Sequence, residues 1–300
     1  MHRRHVIKSI IFFMILIPLA ILGCNTTKIF NQKIKPEKLQ LNKQSVVFPF
    51  LAHSGFEPSH TAQATENFID LLKKSPHILA YHPPKGMALS KGIKSAELGV
   101  ATCYGLVKKA ESLGINALIT GVLDHINITT KKTGLRPFRK LSKIYDVSLV
   151  INVMDVNSRT LLLSRRESVK VILPLDITKG QKENEIIDQV LQEALPPILN
   201  RQASAVISAL ETGQWTGKIL SIDKGSIKIN AGKTAGAHPG SRFEVFDREG
   251  AINSLDGRSL ELTGKKIGAI KVASITETYS LAVPIEEGEF RTGQIIKSVP

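Results

Sequence analysis

The chain has 300 residues, with 40 Lys and Arg against 26 Asp and Glu, a formal net charge of +14 and 5% aromatic content. So few aromatic rings, with Trp215 the one tryptophan, argue against a base-stacking surface or a carbohydrate platform. The length fits two modest domains better than one small core.

The chain opens MHRRHVIKSIIFFMILIPLAILGC. A basic start (Arg3, Arg4, Lys8) precedes an apolar run from Ile10 to Leu22, broken at Pro18. That run is short of the roughly 20 apolar residues a permanent membrane helix needs. A basic head, a short apolar stretch and a small residue, Gly23, describe a secretory signal cleaved before Cys24. Three readings compete: a membrane anchor, a simple cleaved leader, and a leader whose final cysteine receives lipid. Ile21-Leu22-Gly23-Cys24 resembles the bacterial lipobox. The resemblance implies a signal peptide over 1–23, lipidation of Cys24 with palmitate among its acyl groups, and a periplasmic protein on the outer membrane. Residues 24–43 are polar, Lys-rich and Pro-containing, as a tether should be. With Cys24 acylated, Cys103 stands alone, which excludes a disulfide framework or a cysteine-built zinc site. In VATCYGLV it reads as a small hydrophobe on a helix face. Outside the cytoplasm, the cationic excess points to phosphates on lipids, acidic envelope polymers or an acidic protein, and away from nucleic acid.

From residue 44 the pattern alternates. SVVFPFLA (45–52) reads as a strand, TAQATENFIDLLKKS (61–75) as a helix and HILAYH (77–82) as a strand. After Pro83-Pro84 a long helical stretch ends at Gly114, which suits a left-handed stop. INALITGVLDHINI (115–128) reads as one strand. Two β runs, 143–156 and 160–173, form a hairpin turning at Asn157-Ser158, with Val147, Leu149, Ile151 and Val153 on a wholly aliphatic face. A helix over 183–210 follows, with Ile187, Leu191, Leu195, Leu199, Val206 and Leu210 along one stripe. Pro196-Pro197 must kink or split it. This order predicts an α/β sandwich with a mixed sheet over 44–211. From Trp215 onward, five or six short β runs separated by glycine predict a small closed barrel over 214–300. The fold class expected is therefore α+β.

SVVFPF, LGINALITGVL and VSLVINVMDVNSRTLLLSRR resemble the periplasmic fold shared by the curli-export lipoprotein CsgG, the penicillin-binding-protein activator lipoproteins and the middle domain of flagellar assembly protein T, a TolB-N-like sandwich. GKILSIDKGSIKINAGKTAGAHPGSRFEVF, IGAIKVASITETYSLAVP and GEFRTGQIIKS are similar to the C-terminal domain of flagellar assembly protein T, an SH3-like barrel. The resemblance implies a non-catalytic assembly or scaffold protein, with envelope protein partners and a homo-oligomer among the arrangements open to it. A CsgG-like export component and a regulator of a cell-wall synthase are the alternatives. The lipobox and short tether stand where flagellar assembly protein T has an extra domain.

The chemistry-bearing motifs are weak. AGKTAG lacks the first glycine of a phosphate loop, since Ile227 stands there, and its flanks are strands. Ser221-Ile222-Asp223-Lys224 matches Ser-x-x-Lys by letter without the helix or companion motifs. His53, His60, His77, His82, His125 and His238 show no metal-ligand spacing on one helix face, and Glu286-Glu287 read as solvated. No enzyme, cofactor, metal or small-molecule substrate is expected. In TTKKTGLRPFRKLSK, Lys131, Lys132, Arg136, Arg139, Lys140 and Lys143 occur with no acidic residue between Asp124 and Asp146. Such dense like charge predicts a loop projecting into solvent. It is either a solvated connector or a contact for an anionic partner, with Phe138 as an apolar anchor. Neither this segment nor HPPKGMALSKGIKS alternates as a membrane-spanning hairpin must, so no pore is expected.

Overall fold

Residues 45–52 form two strands, β1 (Lys43–Val47) and β2 (Leu51–Ala52), where one was expected. Pro49 lies between them and has no N–H to give a ladder, so pairing stops and resumes. The computed structural model describes residues 41–53, 56–87, 104–135, 139–253 and 259–299. Helix α1 (Pro58–Leu72) buries Ala64, Phe68, Ile69 and Leu72 at helical spacing, and starts earlier than expected because proline is tolerated in a first turn. Strand β3 is Ile78–Tyr81. Helix α2 (Tyr104–Ser112) stops before Gly114, whose φ of +74° is the left-handed conformation glycine adopts cheaply. The earlier part of that expected helix, with Cys103, lies outside the described residues.

The expected strand over 115–128 is interrupted. Strand β4 (Ala117–Leu123) is buried throughout, and β5 (Asn127–Thr133) is a separate strand. Asp124 makes the break: its carboxylate accepts the His125 N–H at 2.9 Å and pairs with Arg166 at 2.8 Å. Strands β6 (Lys140–Asp155) and β7 (Leu161–Pro174) are the antiparallel hairpin read from the alternation, and Val147, Leu149, Ile151 and Val153 have no exposed surface. In its turn the Asp155 carboxylate accepts the Ser158 N–H at 2.6 Å, and Arg159 takes a φ of 56°. One edge of β6 pairs first with β5 (Thr133↔Lys140 to Asn127↔Asp146) and then with β4 (Leu123↔Leu149 to Ala117↔Asp155). Its other edge pairs with β7. With β1 parallel to both β3 and β4, the seven-stranded sheet is mixed.

A short helix, α3 (Leu175–Thr178), precedes α4 (Glu183–Thr212). Of the kink or split expected at Pro196-Pro197, the split does not occur: α4 runs 30 residues as one helix. An interior proline costs about 3 kcal/mol. Each fully buried aliphatic side chain returns about 1.5–3 kcal/mol, and α4 lays Val190, Leu191, Ile198, Leu199, Val206 and Leu210 into the core. Packing wins, and Asn200 Nδ2 donates to the Pro196 carbonyl at 2.9 Å. The stripe is also rotated from the expected one, with Ile186, Ala194 and Ala203 buried while Ile187 and Leu195 are only partly covered. Buried Gln202 ties α4 to the sheet, donating Nε2 to the carbonyls of Leu149 and Arg165 at 2.9 Å each.

Strands β8 (Thr216–Asp223), β9 (Ser226–Ile229), β10 (Arg242–Asn253), β11 (Ser259–Ile275), β12 (Ser280–Pro284) and β13 (Ile295–Ser298) close an antiparallel barrel in the order β10-β11-β12-β9-β8-β13. Strand β10 closes on β13 over Phe243–Phe246 and β11 on β12 over Ile270–Ile275, while the outer parts of β10 and β11 pair only with each other among the described residues. Strands β10 and β11 are long, 12 and 17 residues, where short ones were expected. Ile219, Ile229, Phe243, Val245, Ile270, Val272 and Ile296 fill the interior, and Trp215 packs on Phe243 with ring centroids 5.6 Å apart. AGKTAG is a single 3-10 turn, Lys233–Ala235, leading into Gly236 at φ +78°. A side chain on Gly232 would run into the backbone of Glu277 and Thr278, so this glycine permits a close approach of two chain segments.

Sheet and barrel lie in one compact unit, Gln40–Val299. Polar groups join them. Asn116 and Asn157 donate to the Thr216 carbonyl at 2.9 and 3.1 Å, and Trp215 Nε1 donates to the Asn42 carbonyl at 3.2 Å. Glu111 on α2 pairs with Lys218 of the barrel at 2.7 Å and with Arg159 at 3.5 Å.

Candidate functional site

The basic segment is a β-hairpin, not a projecting loop. Lys131 and Lys132 lie on β5, Lys140 and Lys143 on β6, and Arg139 is exposed just before β6. Arg136, Phe138 and the lipidation candidate Cys24 lie outside the described residues. The repulsion that argued for a loop is relieved by strand geometry: successive side chains point to opposite faces. Lys131 and Lys132 therefore separate, and the β-branched Thr129, Thr130 and Thr133 favour an extended chain.

The pairing assigns each cation to a face. Lys131 stands opposite Ser142, and Thr133 opposite Lys140, on one face; Lys132 stands opposite Leu141, and Thr130 opposite Lys143, on the other. The two hydroxyls of Thr133 and Ser142 lie 2.6 Å apart and clasp the strands at the end away from Tyr145. Every β5 residue before Thr133 is exposed. Ile128 and Leu141 are 50% and 43% exposed and belong to the face that α4 covers further along β6. At the base of the hairpin Tyr145 is buried, and burial followed by the Glu183 carboxylate hold its phenol above the ordinary 10.0. The Tyr145 hydroxyl stays neutral at any physiological pH.

Among the described residues, the only carboxylate within ion-pair distance of these cations is Asp176, 3.4 Å from Lys140. Lys131, Lys132 and Arg139 are exposed, and Lys143 is half-buried. Strand β5 pairs with β6 alone, so among the described residues its outer edge carries unpaired backbone donors and acceptors. Sequence reasoning missed this edge because NITTKKT has no apolar alternation. It also missed Asp176, which comes from a segment 36 residues beyond Lys140.

Other polar groupings are structural in geometry. His60 Nε2 lies 2.7 Å from Asp188, joining α1 to α4, and His82 lies 2.9 Å from Glu66. The His53 and His125 rings stack at 4.5 Å. Glu286 and Glu287 are exposed, as expected, and Glu286 shares Lys266 with Glu244 at 3.2 and 3.1 Å. Among the described residues no three metal-ligating side chains converge, and no helix is long and apolar enough to cross a membrane.

No family model and no curated protein matches the chain. Among solved structures, it is similar to protein CT253 of Chlamydia trachomatis, at 13% identity over 56% of this chain and 99% of that one, with a TM-score of 0.35. It is similar to the PelC dodecamer of Paraburkholderia phytofirmans, at 11% identity over 53% and 86%, with a TM-score of 0.31. It is also similar to lipoprotein GNA1162 of Neisseria meningitidis, at 13% identity over 57% and 99%, with a TM-score of 0.30. Likeness at this level carries no argument about what the chain does.

Proposed function

We propose that this chain is a lipid-anchored assembly or scaffold protein of a bacterial envelope machine, held at the outer membrane through Cys24 and acting without catalysis. Among the machines its sequence resembles, flagellar assembly is the reading with most residues behind it, since the resemblance covers both the α/β part and the barrel. The observation that carries the scaffold reading is the basic hairpin. Lys131, Lys132 and Lys143 on the paired strands, with Arg139 just before β6, have no carboxylate partner among the described residues, an arrangement suited to holding an anionic partner. The order Ile21-Leu22-Gly23-Cys24 supports the anchor, and Asn25, in place of the aspartate associated with inner-membrane retention, supports the outer membrane.

Fractionation of cells tests the anchor. A single acyl chain binds membranes weakly, with a constant of about 10⁴ M⁻¹, whereas several chains on one cysteine give stable attachment. The parent protein is expected in the membrane fraction after high-salt washing, and Cys24→Ala is expected to stall in processing or appear in the soluble fraction. A processed Cys24→Ala protein that stays equally membrane-bound overturns the anchor.

A further inference from the structure

We infer that β5 is a docking edge that accepts an extended acidic segment of a partner protein as an additional strand. The inference deepens the scaffold reading by naming the chemistry of the partner, and it rests on that reading only for its biological setting.

Three observations bear on it. The first is the outer edge of β5, unpaired among the described residues, a row of backbone N–H and C=O groups open to main-chain pairing. Second, the cations are divided between the two faces of the hairpin, Lys131 and Lys140 on one, Lys132 and Lys143 on the other. A flat lipid surface meets only one face of such an arm. A strand added along the edge sends alternate side chains to both faces, so consecutive acidic residues would meet Lys131 on one side and Lys132 on the other. Third, the edge is not protected by being short: β5 has seven residues, about the length of an ordinary strand. Lysines on an edge usually act to repel pairing with other copies. Here that same repulsion excludes a second basic β5 and leaves an acidic strand as the occupant that neutralises the edge instead of adding to its charge.

Binding to the full-length protein in neutral detergent tests the inference. The probe is the seven-residue peptide Thr-Val-Glu-Glu-Thr-Val-Thr, with a version N-methylated at alternate residues and a version carrying Lys-Lys for Glu-Glu. Phosphatidylglycerol vesicles serve as the lipid probe. The acidic peptide is expected to bind and to slow amide exchange across 127–133. N-methylation on the pairing edge is expected to weaken it at least about tenfold, about 1.4 kcal/mol. The double change Lys131→Glu with Lys132→Glu is expected to lose the acidic peptide and gain the Lys-Lys peptide. Equal affinity for the N-methylated peptide, or binding without amide protection in 127–133, overturns strand addition in favour of a diffuse charge contact. Binding of the vesicles with no binding of the peptide overturns the protein partner in favour of lipid. None of these outcomes depends on Cys24, so the docking edge and the anchor fail or stand separately.

Discussion

Two regions of the molecule use the same residue types to opposite ends. At the join between sheet and barrel, the side chains of Lys218 and Arg159 are 7% and 12% exposed and both face Glu111, itself 15% exposed. On the hairpin, Lys131, Lys132 and Lys143 carry no carboxylate within ion-pair distance among the described residues. Burying a charge is tolerable only when it is paired, and breaking such a pair is costly because the remaining charge stays in place. An exposed charge contributes little to the fold whether paired or not. The join therefore reads as charge committed to structure, and the hairpin as charge left for an outside partner.

The largest effect should come at the join. Glu111→Ala removes the negative charge that buried Lys218 and half-buried Arg159 face, and is expected to destabilise the protein by about 3–5 kcal/mol in urea denaturation. A loss under 1 kcal/mol would mean that the join is wetter and looser than its distances imply. Packing between the sheet and α1 gives the next effect. A side chain on Gly121 would overlap the buried ring of Phe50, which leans on Phe68 with centroids 5.4 Å apart. Gly121→Ala should cost about 1–3 kcal/mol, the usual range for overpacking, and Phe50→Leu in the same chain should recover part of it.

A third site sharpens the contrast through pH. Hydrogen bonds from Arg165, then from Arg201 at 2.8 Å, hold the Glu167 carboxyl below its ordinary value of 4.5. A carboxylate whose folded value is depressed stabilises the protein above its unfolded value, and that contribution disappears as pH falls through the folded one. Acid unfolding of the parent should thus steepen below pH 4.5, and Glu167→Gln should show a shallower acid limb with no change in slope near neutrality. Identical limbs would show that Glu167 is ionised equally in folded and unfolded chains.

Much of this architecture is legible in the sequence where local pattern and tertiary packing agree. The alternation Val147, Leu149, Ile151, Val153 marks a buried face because this later part of β6 shares one core with α4. Gly114 marks a helix end because only the left-handed conformation turns the chain there. The barrel is visible as glycine-punctuated β runs. Legibility fails where distant segments decide. Strand β5 reads as a polar loop because it is an edge, with no buried face to impose alternation. Pro196-Pro197 reads as a kink or a split, and the helix stays continuous because the apolar face that outweighs a split depends on the sheet beneath. Glu111 and Lys218 are separated by 107 residues, and nothing local in either segment announces their pairing. The docking candidate was legible as a concentration of charge and illegible as a strand.

The smallest expected effect on stability is also the most direct test. Urea denaturation of the variant with Lys131, Lys132, Arg139 and Lys143 changed to Gln, compared with the parent at the same salt, asks whether the hairpin charge belongs to the fold. Exposed substitutions that touch nothing usually fall within about 0.5 kcal/mol. Superimposable curves are the predicted result, together with retained solubility and an unchanged slope. A midpoint lowered by the equivalent of more than 1 kcal/mol would show that these cations hold the hairpin in place, and would contradict the division between structural charge at the join and docking charge at the edge.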